Sequence, residues 1–128
     1  MPIQFHAENG GKILVTQATG MVSKADYKSF IAEFERLLKK QGKLRILVDI
    51  TDFHGLTSDG VLEDIKLYVK HKGDIERIAV IGDKRWEQVL TNLGKPFMPA
   101  QMQYFDLADA NKAKKWLSED ASNDDSVA

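Results

Sequence analysis

The chain has 128 residues, 43% hydrophobic and 29% charged, with 18 Lys plus Arg against 19 Asp plus Glu and a formal net charge of −1. This balance fills a core and solvates its surface, which excludes wholesale disorder and collagen-like structure, and no apolar run reaches the roughly 20 residues of a bilayer span. Cys is absent, which excludes disulfides, Cys-ligated metal and a thiol nucleophile; with no signal-peptide pattern in Met-Pro-Ile-Gln-Phe-His, a cytoplasmic home is expected.

In chain order, Ile3 to Ala7 and Ile13 to Ala18 have the composition of two short strands joined at Gly10-Gly11, a tight hairpin signal. Tyr27, Phe30, Ile31, Phe34, Leu37 and Leu38 then recur at helical spacing. Ser23 and Asp26 form a capping box ahead of that stripe, Val22 and Tyr27 stand at staple positions, and Lys39, Lys40 and a left-handed Gly42 suit its end. Leu44 to Ile50 is an apolar, β-branched run expected of a strand buried on both faces. A second helix is predicted from about Asp59 to Lys72, with Val61, Ile65, Tyr68 and Val69 as its stripe and acids preceding bases. Ile75 to Ile81 repeats the buried-strand pattern. Gly82-Asp83 turns into a third helix with Trp86, Val89, Leu90 and Leu93 facing inward. Gln103 to Phe105 is a last strand, and a helix from Asp106 or Leu107 to Leu117 buries Ala110, Ala113, Trp116 and Leu117.

The order ββαβαβαβα predicts an α/β fold: a single mixed β-sheet with helices, its first hairpin antiparallel and its later βαβ units parallel and right-handed. Charge divides the chain. Residues 1–117, the expected domain, carry 18 bases and 15 acids, whereas residues 118–128 carry four acids and no base, an acidic tail expected to be disordered after about Glu119. A body excess of +3 without a dense basic stripe gives no nucleic-acid footprint.

The succession GMVSKADY, LRILVDITDFHGLT, ERIAVIGDKRW and QYFDLADANKAKKWL resembles the SpoIIAA-like bacterial proteins, relatives of the STAS domains of anti-sigma-factor antagonists and sulfate transporters, over nearly all of residues 10 to 117. The resemblance implies a STAS-like α/β sandwich in which the loop after the central strand meets the start of the second helix. In STAS anti-sigma-factor antagonists that loop carries a Ser phosphorylated by a partner kinase. Ser58 falls at that position, with Thr57 beside it. The chain reads Thr-Ser-Asp-Gly where the STAS pattern is Asp-Ser-Ser-Gly, so Asp59 would repel an added phosphate.

Ligands of open α/β sheets bind beyond the carboxyl ends of parallel strands. This makes Asp49, Asp52, Phe53, His54, Thr57, Ser58 and Asp59 the candidate binding loop, with Ser58 a possible phosphorylation site at a helix N-terminus. Thr57, Ser58 or Asp59 serves equally as a helix cap, and His54 beside Gly55 reads as a turn residue. Asp49, Asp52, His54, Asp59 and Asp64 are oxygen-rich enough for Mg²⁺ or Mn²⁺, or for an Asp52–His54 acid/base couple, but their spacing matches no metal motif. With no G-x-S-x-G or Walker pattern, no catalytic residue, metal or cofactor is assigned and the balance tilts away from an enzyme. Phe97, Met98 and Met102 lie in a Pro-broken stretch that either folds back over Trp86 and Leu90 or offers an apolar contact, including one between two copies in a homodimer. Tyr27, Phe30 and Tyr68 line either a filled core or a pocket.

The leading expectation is a non-enzymatic, regulatory module that binds a protein partner. The alternative is a carrier or sensor of a small apolar, lipid-like ligand, and a divalent-metal enzyme comes third.

Overall fold

A computed structural model of the chain describes residues 3–71, 73–93 and 102–119. Its strands are β1 (Ile3–Glu8), β2 (Ile13–Ala18), β3 (Gly20–Val22), β4 (Leu44–Asp49), β5 (Phe53–Leu56), β6 (Ile75–Gly82) and β7 (Met102–Asp106). The helices are α1 (Lys24–Gln41), α2 (Ser58–His71), α3 (Lys84–Leu93) and α4 (Ala110–Ser118). Five strands form one mixed sheet in the order β1-β2-β4-β6-β7. Only its β1–β2 pair is antiparallel; β2–β4, β4–β6 and β6–β7 are parallel, as expected of a hairpin followed by βαβ units.

The hairpin turns through Asn9–Gly11, a run of three positive φ angles (53°, 68° and 96°) that the two glycines make cheap. α1 starts where the capping box puts it. The Ser23 N–H donates to the Asp26 carboxylate at 2.8 Å, and the Asp26 N–H donates to the Ser23 hydroxyl at 3.4 Å. Gly42 ends the helix with a positive φ of 80°, but its ψ of −134° lies outside the left-handed helical well expected there, while its N–H still bonds the Leu38 carbonyl.

Alternation along β2, β4 and β6 sends side chains to two different layers. Leu14, Leu44 and Ile46 join Phe30, Phe34 and Leu37 of α1 on one face, with Leu67 of α2 packed against them. Ile13, Leu47, Ala79 and Ile81 meet Ala113 and Leu117 of α4 on the other. Burial of each large side chain in these clusters contributes roughly 1.5–3 kcal/mol. Of the two tryptophans expected in the core, both are half-buried. Trp86 stacks on Phe53 at 5.5 Å, and Trp116 packs near both Phe105 and the Arg77 guanidinium.

Three differences from the sequence reading matter for the site. First, β3 and β5 form a separate two-stranded parallel sheet. These strands are too short, and too interrupted by Gly20 and Gly55, to carry an alternating pattern; backbone pairing makes them, with the Gly20 N–H on the Asp52 carbonyl and the Thr57 N–H on the Val22 carbonyl, each at 2.9 Å. Phe53 and His54 are therefore strand residues and not parts of a loop. Second, Met102 opens strand β7, held in register with Ile78, so it is not in a loop; Phe97 and Met98 lie outside the described residues. Third, Ser118, placed in the acidic tail from composition, is the last residue of α4. Among the described residues no helix is long and apolar enough to cross a membrane.

Candidate functional site

β1, β2, β4 and β6 form one wall of a cavity of about 510 Å³, and α1, α2 and the β3–β5 ribbon line its other side, leaving it partly open to solvent. Ile3, Ala18, Ile46, Val48 and Ile78 line it from the sheet. Val22, Phe30, Phe53, Leu56 and Leu67 line it from the opposite side, and Met102 from the edge strand. Of the described lining residues, only Thr16, Tyr27 and Asp64 carry a polar side chain group. The size falls within the ~300–1,000 Å³ of small-molecule sites, and the mostly apolar wall with few polar groups is the usual make-up of such sites. A depression on the outward face of α1, among Glu35, Arg36, Lys39 and Lys40, is by contrast open charged surface.

The polar groups occupy different positions. Tyr27 donates its hydroxyl to the Asp64 carboxylate at 2.7 Å, which ties α1 to α2. Asp64 is exposed, so this bond sits where the cavity meets solvent. Burial pushes the Tyr27 phenol well above its ordinary range, and the Asp64 charge pushes the same way, so the donor stays protonated. Thr16 is only 5% exposed and its Oγ1 has no hydrogen-bond partner among the described residues. A buried hydroxyl left without a partner costs about 1–3 kcal/mol.

The residues expected in the binding loop are spread around the rim of this cavity and beyond it. Asp49 accepts the Thr51 N–H at 2.9 Å and shapes the turn after β4. Asp52 and His54 are exposed, and no hydrogen bond joins them. Thr57 caps α2: its Oγ1 accepts the Gly60 N–H at 3.2 Å, while its hydroxyl donates to Asp59. Asp59 also accepts the Lys24 N–H at 3.3 Å, linking the start of α2 to the start of α1. These bonds, the Thr57 hydroxyl first, hold the Asp59 carboxyl below its ordinary range. Gly60 lets the two segments meet, since a Cβ there would stand 2.5 Å from the Val22 carbonyl oxygen. Ser58 is the first residue of α2 and is exposed.

The five candidate metal residues do not converge; among the described residues no three His, Asp or Glu side chains are grouped as a metal ion would need. At the carboxyl ends of β4 and β6, Arg85 lies 5.3 Å from the Trp86 ring and 3.4 Å from the carbonyls of Thr51 and Phe53. Nearby, Tyr104 donates to the Asp83 carbonyl at 2.7 Å, and burial, with several neighbouring carboxylates, pushes its phenol up to about 12.

Two features escaped the sequence reading. Thr16 is the one inward polar residue in the otherwise apolar start of β2, and that break in alternation was its only signal. Arg45 and Arg77 each interrupt an apolar strand, and both are buried, at 5% and 4% exposure.

A sequence model of the SpoIIAA-like family matches residues 13–118. The chain belongs to the SpoIIAA-like family. A crystal structure of an uncharacterized protein with a SpoIIAA-like fold, from Shewanella loihica PV-4, is similar at 26% identity and a TM-score of 0.73, covering 90% of this chain and 91% of that one. The anti-sigma factor antagonist SpoIIAA in its unphosphorylated form aligns at 9% identity and a TM-score of 0.63, over 91% of this chain and 99% of that one, a likeness of fold. A search of curated proteins returned no match. The SpoIIAA-like fold thus accounts for the mixed sheet.

Proposed function

We propose that this SpoIIAA-like chain is a binding module that holds one small apolar molecule between its sheet and α1 and α2. The observation that carries this reading is the 510 Å³ cavity with its apolar wall and single polar gate. An apolar space of this size forfeits dispersion contacts when empty and offers water few partners, so a ligand is its natural filling. Native mass spectrometry of freshly purified full-length protein is the test. A bound mass that is released on denaturation and extracts into organic solvent is the expected result. Protein that stays empty after incubation with a series of apolar compounds, with no shift in Tm, overturns the reading.

A second reading, a protein partner at the β5–α2 junction, is favoured by Met21, Val61 and Leu62, large apolar side chains 51%, 43% and 53% exposed on the elements that frame Ser58. Large apolar side chains left exposed on adjoining elements are a feature of interaction sites. The likeness to the anti-sigma factor antagonist supports a regulatory partner. Photocrosslinking from position 62 in cells should trap one identifiable protein, and Val61→Glu should abolish the product with little change in Tm. Crosslinks scattered over many proteins, or unaltered by Val61→Glu, would remove this reading.

A further inference from the structure

We infer that the molecule held in the cavity is a single-chain amphiphile with a protonated amine head, its tail against the apolar walls and its ammonium on the Asp64 carboxylate at the mouth. The inference rests on the ligand-binding reading and adds the head group. Asp64 and Leu67 stand three residues apart on α2, hence on one face of the helix, and both line the cavity. Leu67 belongs to the apolar wall, whereas Asp64 is exposed. The carboxylate is therefore open to a ligand at the place where the apolar wall gives way to solvent.

This carboxylate has capacity to spare. Its Oδ1 accepts the Tyr27 hydroxyl at 2.7 Å, and a carboxylate accepts at both oxygens, through about four lone-pair sites in all. Among the described residues no side chain donates to Oδ2, and no Lys, Arg or His stands within ion-pair distance of Asp64. The adjacent Glu63 differs, because Lys24 at 3.8 Å and Lys66 at 3.7 Å already flank it. Of the two neighbouring carboxylates, the one without a counter-ion is the one on the cavity lining. A protonated amine supplies that charge and donates to Oδ2 without displacing Tyr27. An alcohol placed the same way gains the hydrogen bond without the charge, and a fatty carboxylate meets a like charge. At the solvated rim the ammonium keeps part of its hydration, so the gain is that of an exposed ion pair and the cost of burying a charge is avoided.

The test uses the full chain and three probes with the same ten-carbon tail, decylamine, 1-decanol and decanoate, followed at neutral pH by calorimetry and by the shift in Tm. Decylamine should bind tightest, 1-decanol about three- to tenfold more weakly, and decanoate more weakly still. Asp64→Asn keeps the shape and an acceptor oxygen for the Tyr27 hydroxyl and removes the charge. In that variant decylamine should fall to the affinity of 1-decanol, with 1-decanol itself unchanged. Ala18→Leu, which fills the sheet wall, should abolish binding of both, since tail and head use one site. Decylamine binding no tighter than 1-decanol, unchanged by Asp64→Asn, or retained in Ala18→Leu overturns the head-group assignment, while 1-decanol binding keeps the cavity reading intact. Failure of all three probes to bind the parent overturns both.

Discussion

The two faces of the central sheet are built on opposite plans. On the α4 face the layer is closed: Ala79, Ala113 and Leu117 are essentially inaccessible, and two buried arginines fasten the end of the helix. Arg45 and Arg77 are register partners on adjacent strands, a like-charge pair that would repel if left alone. Arg45 bonds the Glu76 carboxylate at 2.5 Å and donates to the carbonyls of Leu117 and Glu119, and Arg77 donates to the carbonyl of Trp116 and lies 5.0 Å from its ring. The negative end of the α4 dipole and the last carbonyls of the helix are thereby met by fixed cations. On the α1/α2 face larger side chains, Phe30 and Phe34 among them, leave 510 Å³ unfilled. One face spends its polar contacts on holding a helix shut, and the other leaves a mostly apolar space beneath two helices.

The largest effect should come from breaking the closed face. Arg45→Ala removes the partner of Glu76 and strips bonds from two carbonyls at the end of α4. A loss of about 3–5 kcal/mol is expected, read by urea denaturation, with α4 amides exchanging first. A loss below about 1 kcal/mol would mean that solvent replaces these bonds without cost and that the face is not closed by them. A matched pair of substitutions tests the contrast directly. Ala113→Leu adds volume where there is none and should cost about 1–3 kcal/mol. Ala18→Leu adds the same atoms to the cavity wall and should stabilise by about 0.5–2 kcal/mol while blocking ligand uptake. Equal destabilisation by both would show that the two faces are packed alike.

The difference between the faces also explains what was legible in the sequence. Periodicity predicts which side chains turn inward, and Phe30, Phe34, Leu37, Ala113 and Leu117 did so. It says nothing of whether two inward faces meet without a gap, because that depends on the separation of layers set by residues far apart in the chain. Tyr27 and Phe30 were accordingly compatible with either a core or a pocket until the β3–β5 ribbon was placed. That ribbon was invisible for a related reason: three- and four-residue strands held by backbone bonds leave no side-chain pattern. Arg45 and Arg77 were hidden because an apolar strand reads as buried whatever its occasional charge does. The capping boundary at Ser23 was plain from sequence because its chemistry is local, within three residues.

A smaller effect should come from the gate of the open face. Tyr27→Phe removes the bond to Asp64 that ties α1 to α2. The expected cost is about 0.5–1.5 kcal/mol, together with faster release of a bound apolar probe in stopped-flow displacement, because the two helices that flank the cavity lose their polar tie at its mouth. Unchanged release kinetics would move the entrance elsewhere on the rim.

The smallest effect belongs to Asp59, whose clasp joins the starts of α1 and α2 from a fully exposed position. Its carboxyl is held below the ordinary value in the folded chain, chiefly by the Thr57 hydroxyl and then by the Lys24 N–H. The folded state therefore binds the proton less readily than the unfolded one. The contribution is present in full above the unfolded carboxylate pKa of about 3.9, and it is lost as pH falls through the lower folded value. Asp59→Asn should lower Tm slightly at neutral pH and converge on the parent at the acid end, a difference read by thermal scans between pH 7 and 2. A constant offset across that range would mean that Asp59 acts through its shape and hydrogen bonds alone. The junction beside Ser58 would then be insensitive to local charge, which would weaken the case for switching it with a phosphate.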